Sequence, residues 1–108
     1  MWNEPSELLL QTVPRLYETE HISLQEKIIH LHFFFGSSDW YIAEYDGDDL
    51  FWGFAILNND LLNAEWGYIS FSELKSIHIQ GIEVDRDIFW KPCMAKTVKK
   101  IRSCSPHW

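Results

Sequence analysis

The chain has 108 residues, of which 46% are apolar and 16% aromatic, with two cysteines and a net charge of −7. That is apolar matter for one core in one domain. It is too aromatic for disorder, and no apolar run approaches the roughly 20 residues of a membrane span.

The elements follow in chain order. Ser6 can cap a short helix over residues 6–12, with Glu7 in its first turn and Pro14 as its stop. "LYETEHISLQEK" then reads as a polar connector, in which Ser23 and Glu26 have the spacing of a capping box around one helical turn. "KIIHLHFFF", residues 27–35, is rich in β-branched and aromatic residues and predicts a strand. "WYIAEY" and "LFWGFAIL" predict two more, joined through Asp46–Asp49. A two-residue turn at Asp46–Gly47 would set Glu44 opposite Asp49, like charge against like, so a four-residue loop is preferred. In that register Tyr41, Ala43 and Tyr45 share a face with Leu50, Trp52, Phe54 and Ile56, and this aromatic-heavy face is the expected core. Ile42 and Glu44 fall on the other face with Phe51, Gly53 and Ala55.

"EWGYIS" predicts a fourth strand, and Ser70 with Glu73 a capped helix to about Ile77. Gly81 turns the chain, "VDRDIFW" makes a fifth strand, and Lys91-Pro92 stops it. In the last stretch Met94, Val98 and Ile101 have helical spacing among lysines. The expectation is a single α+β domain over residues 1–108: an antiparallel sheet of four to five strands with short flanking helices.

Charge is uneven along this chain. Residues 39–87 hold eleven acids and two bases, a balance of −9, whereas residues 88–108 hold five bases and no acid. Such a body repels nucleic acid over most of its surface. Glu44, Asp46, Asp48, Asp49, Asp85 and Asp87 are the candidate partner-binding residues; solubility and a plain hairpin tip are the alternative uses of the same acids. His30 and His32 alternate along one strand, a spacing that suits a metal if a carboxylate lies opposite; a half-exposed polar face is the simpler reading. Cys93, Cys104 and His107 lack the paired spacing of a structural zinc site and, lying in one stretch, the pattern of a disulfide framework. No nucleophile elbow, P-loop or dinucleotide glycine motif is present, so no catalytic residue, metal or cofactor is assigned. The start "MWNEPSELLL" lacks the regions of a secretory leader, and a cytoplasmic setting with reduced thiols is expected.

"PRLYETE" (14–20), "DWYIAEYDGDDLFWGFA" (39–55), "AEWGYISFSELKSI" (64–77) and "VDRDIFWKP" (84–92) resemble the domain-of-unknown-function family 2958 in order and spacing. The resemblance covers about Glu7 to Pro92 and leaves residues 93–108 as a basic C-terminal helix or tail. It implies the setting of a small accessory protein of bacterial plasmids, phages and other mobile elements, and it implies no activity. Joined to the acidic segment, it leads to an expected protein partner with a basic, nucleic-acid-binding surface, met in an anti-defence or regulatory role. A nucleic-acid-binding module using the basic tail and exposed aromatics is the alternative, and a small metal- or carboxylate-dependent hydrolase the second.

Overall fold

The computed structural model describes residues 1–106. Its elements are α1 (Glu7–Leu10), a 3₁₀ turn (Leu24–Glu26), β1 (Ile28–Ile29), β2 (Leu31–Phe35), β3 (Ser38–Tyr45), β4 (Leu50–Ile56), β5 (Glu65–Ser70), α2 (Phe71–Ser76), β6 (His78–Ile79), β7 (Ile82–Glu83), β8 (Asp85–Arg86), β9 (Cys93–Met94), a 3₁₀ turn (Ala95–Thr97) and α3 (Lys99–Ser103). Five strands form one antiparallel sheet in the order β5-β4-β3-β2-β8, so the fold class is α+β as expected.

Local chemistry sets the short helices. Ser6 Oγ accepts the Leu9 amide and starts α1, and Ser70 Oγ accepts the Glu73 amide and starts α2. Ser23 precedes its turn without a side-chain cap. Gln80 and Gly81 both have positive φ (53° and 80°), the geometry of a tight hairpin turn, and they join β6 to β7.

The sheet has a core on each side, not one. On the first face Leu31, Phe33, Trp40, Ile42, Phe51 and Ile69 pack against α1 and α2. On the second, Tyr41, Ala43, Phe54 and Ile56 pack against Ile29 and the C-terminal Ala95, Val98 and Ile101. Every residue of β3 is therefore buried, which explains the unbroken apolar run over residues 40–43 at its centre. The expected core face is the second of these, and Phe54 is fully buried there beside half-buried Trp52.

A β-bulge between Ile42 and Glu44 corrects the expected faces. Tyr41 pairs with Phe54 and Ile42 with Gly53, the register of a four-residue loop; beyond the bulge Tyr45 pairs with Phe51 and Glu44 with Trp52. The added residue moves Tyr45 to the first face and turns Glu44 to the second. Gly53 permits this, because a Cβ there would overlap the Tyr41 carbonyl oxygen.

Three other expectations change. The run 27–35 divides at His30, whose amide donates to the Ile42 carbonyl (2.8 Å), so His30 and His32 do not lie on one regular strand. The break lets Ile29 enter the second core and Leu31, two residues on, the first. The expected strand 84–90 is ordered as β8 only, so Asp87 lies outside it. The C-terminal stretch is β9, a 3₁₀ turn and a short helix rather than one helix, because pairing of Cys93 with Ile29 and the Ala95 amide bond to the Lys27 carbonyl hold it extended. Met94 is consequently exposed, and Ala95 takes its expected place in the core.

Gly53→Ala should cost about 2 kcal/mol or more in a denaturant titration, since backbone must move to admit the methyl group. Gly67→Ala, on the neighbouring strand, meets nothing within 4 Å and should stay within about 0.5 kcal/mol of the natural chain. Equal losses at the two glycines would deny the bulge its dependence on Gly53.

Candidate functional site

Turned inward by the bulge, Glu44 meets the connector that follows α1. It is 5% exposed, in a strand otherwise apolar around it. Its Oε1 accepts the Tyr17 amide (3.0 Å), and its Oε2 accepts the Thr19 amide (3.2 Å) and the Thr19 hydroxyl. Lys27, 6% exposed, donates from Nζ to the Thr19 carbonyl and to Thr19 Oγ1 (2.8 Å). Thr19 thus relays between a buried carboxylate and a buried ammonium, which meets the rule that buried charges need partners.

A cavity of about 250 Å³ opens beside this relay. Trp52 of β4, Tyr68 of β5 and Tyr17 supply aromatic walls, with Leu16 and Leu24 adding apolar surface and Glu20 an exposed acid. Lys27 Nζ lies 5.4 Å from the Trp52 ring centroid, and Trp52 stacks on Trp66 at 5.0 Å. The Tyr17 and Tyr68 hydroxyls are 3.0 Å apart. Tyr17 has φ of 70°, a left-handed backbone that costs a bulky residue energy and persists where surroundings impose it. The Glu44 bond to its amide is one such tie.

The other five acids fall in two places. At the hairpin tip, Asp46 Oδ1 accepts the amides of Asp48, Asp49 and Leu50 at 2.8–3.0 Å and so closes the turn. Burial works against its ionisation, but these bonds and Arg15 outweigh it and hold its carboxyl below the usual range. Asp49 bonds the Ser72 amide (2.8 Å) and the hydroxyls of Ser70 and Ser72, tying α2 to the tip; those contacts lower its carboxyl too. Asp48 makes no side-chain bond among the described residues. Burial and then Glu7, Asp46, Asp48 and Asp49 push the Tyr45 hydroxyl up, so Glu7 joins this cluster although its sequence position gave no sign of it.

Asp85 and Asp87 are elsewhere. Asp85 pairs with Phe34, which pairs with Asp39 at the far end of β3, roughly 20 Å along the strand from Asp46. Asp85 accepts Asn3 Nδ2 (2.8 Å), and Asp87 accepts the Phe89 amide (3.0 Å). Asp87 also faces His32, whose ring lies between Asp39 (Nε2, 2.8 Å) and Asp87 (Nδ1, 3.4 Å) and stacks on Tyr41 at 4.6 Å. Lys100 of α3 is ion-paired with Asp39, which fastens the C-terminal helix to β3. Burial lowers the His30 imidazole and raises the Cys104 thiol. Among the described residues no three His, Cys, Asp or Glu side chains group so as to hold a metal ion. His107 lies outside those residues.

Buried Glu44 and Lys27 show what a sequence signal for this site looks like: one charged residue set inside an apolar strand run, and one at the head of another. Thr19, Tyr17 and Tyr68 carry no such signal, since a polar connector and an edge strand give no hint that they meet.

The class defined by this geometry is a small α+β fold with a two-sided antiparallel sheet and a charge-lined aromatic cavity beside it. The chain belongs to the family described as Protein of unknown function (DUF2958), matched over residues 7–99. That span takes in β9 and the turn before α3, beyond the Pro92 limit of the sequence resemblance. No curated protein and no solved structure matches it.

Glu44→Ala should cost about 3 kcal/mol or more, because it strands donors and the Lys27 charge. Hydrogen exchange at the Tyr17 and Thr19 amides should accelerate in parallel; a loss under about 1 kcal/mol would mean other contacts hold the connector. The second expectation concerns acid. Burial opposes ionisation of Asp39, but its bonds to His32 and Lys100 win and hold its carboxyl below the usual range. A carboxyl lowered on folding contributes stability above its unfolded value of about 4, and that stability is lost as pH falls through the folded value. Thermal midpoints taken from about pH 5 down to pH 2 should therefore fall less steeply in Asp39→Asn than in the natural chain.

Proposed function

We propose that the protein is a cytoplasmic protein-binding module of a mobile element, presenting its acidic hairpin tip to a basic, nucleic-acid-binding partner in an anti-defence or regulatory role. The observation that carries this reading is the placement of Asp46, Asp48 and Asp49 together in the short loop between β3 and β4, where the Tyr45 hydroxyl bonds the Asp48 carbonyl (2.8 Å) and Glu7 adds to the negative field on that hydroxyl. Asp46 and Asp49 are fixed by backbone and serine bonds, so part of the charge is held in place before a partner arrives. Asp48 and Glu7 make no side-chain bond among the described residues and are the acids left for a partner. No helix of the described residues is long and apolar enough to cross a membrane, which fits the cytoplasmic setting. A second reading, direct nucleic-acid binding, draws on exposed Lys91, Lys96, Lys99 and Arg102 and on Phe89, a residue 84% exposed.

The experiment compares the natural chain with a Glu7→Gln, Asp48→Asn double variant, which leaves the turn and the α2 cap intact. Capture of a basic protein from host lysate should be reduced in the variant, and should weaken steeply with salt as the screening length drops below about 10 Å. Equal capture by both proteins at every salt concentration would leave the tip acids as a solubility device. Retention of a labelled oligonucleotide, lost when Lys96 and Lys99 become Gln, would favour the second reading.

A further inference from the structure

The cavity between the connector and the sheet has a floor whose hydrogen bonding is incomplete. An ammonium carries three protons. Two of those on Lys27 go to Thr19, and the ammonium otherwise faces the Trp52 ring at 5.4 Å with no further oxygen partner among the described residues. Glu44 has about four acceptor sites and three are used. The Tyr17 and Tyr68 hydroxyls satisfy only one bond between them. Glu20 adds an exposed carboxylate at the opening.

Size and charge restrict what fits. At about 250 Å³ the space lies below the roughly 300–1,000 Å³ of drug-sized sites, so it suits one flat ring system and little more. Walls of Trp52, Tyr17 and Tyr68 favour a planar group that stacks. A cation would meet Lys27, which already lies against Trp52. An anion would meet the carboxylates of Glu20 and Glu44. A hydrocarbon ring would leave the third Lys27 proton unmatched, and an indole offers a donor alone. What remains is a neutral flat ring with an acceptor and a donor side by side on its edge.

We propose that this cavity binds a nucleobase, presented as an unphosphorylated nucleoside, stacked against the aromatic walls with a ring acceptor on Lys27 Nζ and an exocyclic donor on a Glu44 or Glu20 oxygen. Stacking of this kind tolerates any base and is measurable one base at a time. The placement also accounts for the strained backbone of Tyr17: Glu44 and Tyr68 together hold its ring at the cavity wall. Glu20 and Glu44, both in the cavity lining, would repel a phosphate on the nucleoside, which sets the preference against nucleotides.

Adenosine, guanosine, cytidine and uridine are titrated separately into the full chain, followed by amide and indole NMR shifts. At least one of adenosine, guanosine and cytidine, whose bases carry that acceptor and exocyclic donor, should saturate with a dissociation constant below about 1 mM, with shifts centred on Tyr17, Thr19, Lys27 and Trp52, and should bind more tightly than uridine, whose base has no exocyclic donor. Tyr68→Ala, at an exposed position where the fold is retained, should weaken it about tenfold, and so should Lys27→Met. The matching 5′-monophosphate and a short single-stranded oligonucleotide should bind more weakly than the nucleoside. No saturation with adenosine, guanosine or cytidine, tightest binding by uridine, shifts centred elsewhere, indifference to Tyr68→Ala, or a tighter monophosphate or oligonucleotide would each overturn the assignment. Failure here leaves the hairpin-tip reading standing, because Glu7 and Asp48 do not line this cavity.

Discussion

One extra residue in β3 decides how this domain is arranged. An antiparallel strand sends alternate side chains to opposite faces, so a bulge reverses the assignment of everything beyond it. Without the irregularity between Ile42 and Glu44, Tyr45 would join Tyr41 and Glu44 would point to the face of Phe51 and Phe71. With it, Tyr45 packs on Phe51 at 4.9 Å on the helix-covered face, and Glu44 faces the connector. Gly53 is the residue opposite that allows the backbones to approach.

The carboxylate so placed organises a segment with little apolar content of its own. Tyr17, Thr19 and Lys27 all take their positions from Glu44, directly or through the Thr19 hydroxyl. Buried ion networks of this kind add little net stability over an apolar core, yet breaking one partner is costly. Their effect is to specify one arrangement of the connector, and with it the shape of the aromatic cavity. A second ion pair, buried Asp39 with half-buried Lys100, does the same for the C-terminal helix, helped by Ala95, Val98 and Ile101 in the second core.

The acids divide by the work they do in the fold. Asp46 closes the hairpin and Asp49 ties the first turn of α2 to it, so their charge at the tip is a consequence of local hydrogen bonding as much as of any partner. Asp85 and Asp87 serve the opposite end of the sheet, on Asn3 and His32. Among the described acids at the tip, Asp48 and Glu7 add charge without a visible structural task, which narrows any acidic contact surface to those two and their fixed neighbours.

Much of the chain was legible from residue order alone. β5 occupies "EWGYIS" as read, Ser6 and Ser70 start their helices, and Gly81 turns the hairpin, because caps, turns and alternation depend on neighbours within a few residues. What sequence could not give is everything that depends on a partner far along the chain. The bulge is set by Gly53 approaching Tyr41, the break at His30 by two cores drawing Ile29 and Leu31 to opposite sides, and the cavity by Glu44 reaching back 25 residues to Thr19. Local propensity is read over a few residues, whereas burial and charge pairing are satisfied only between segments that folding brings together.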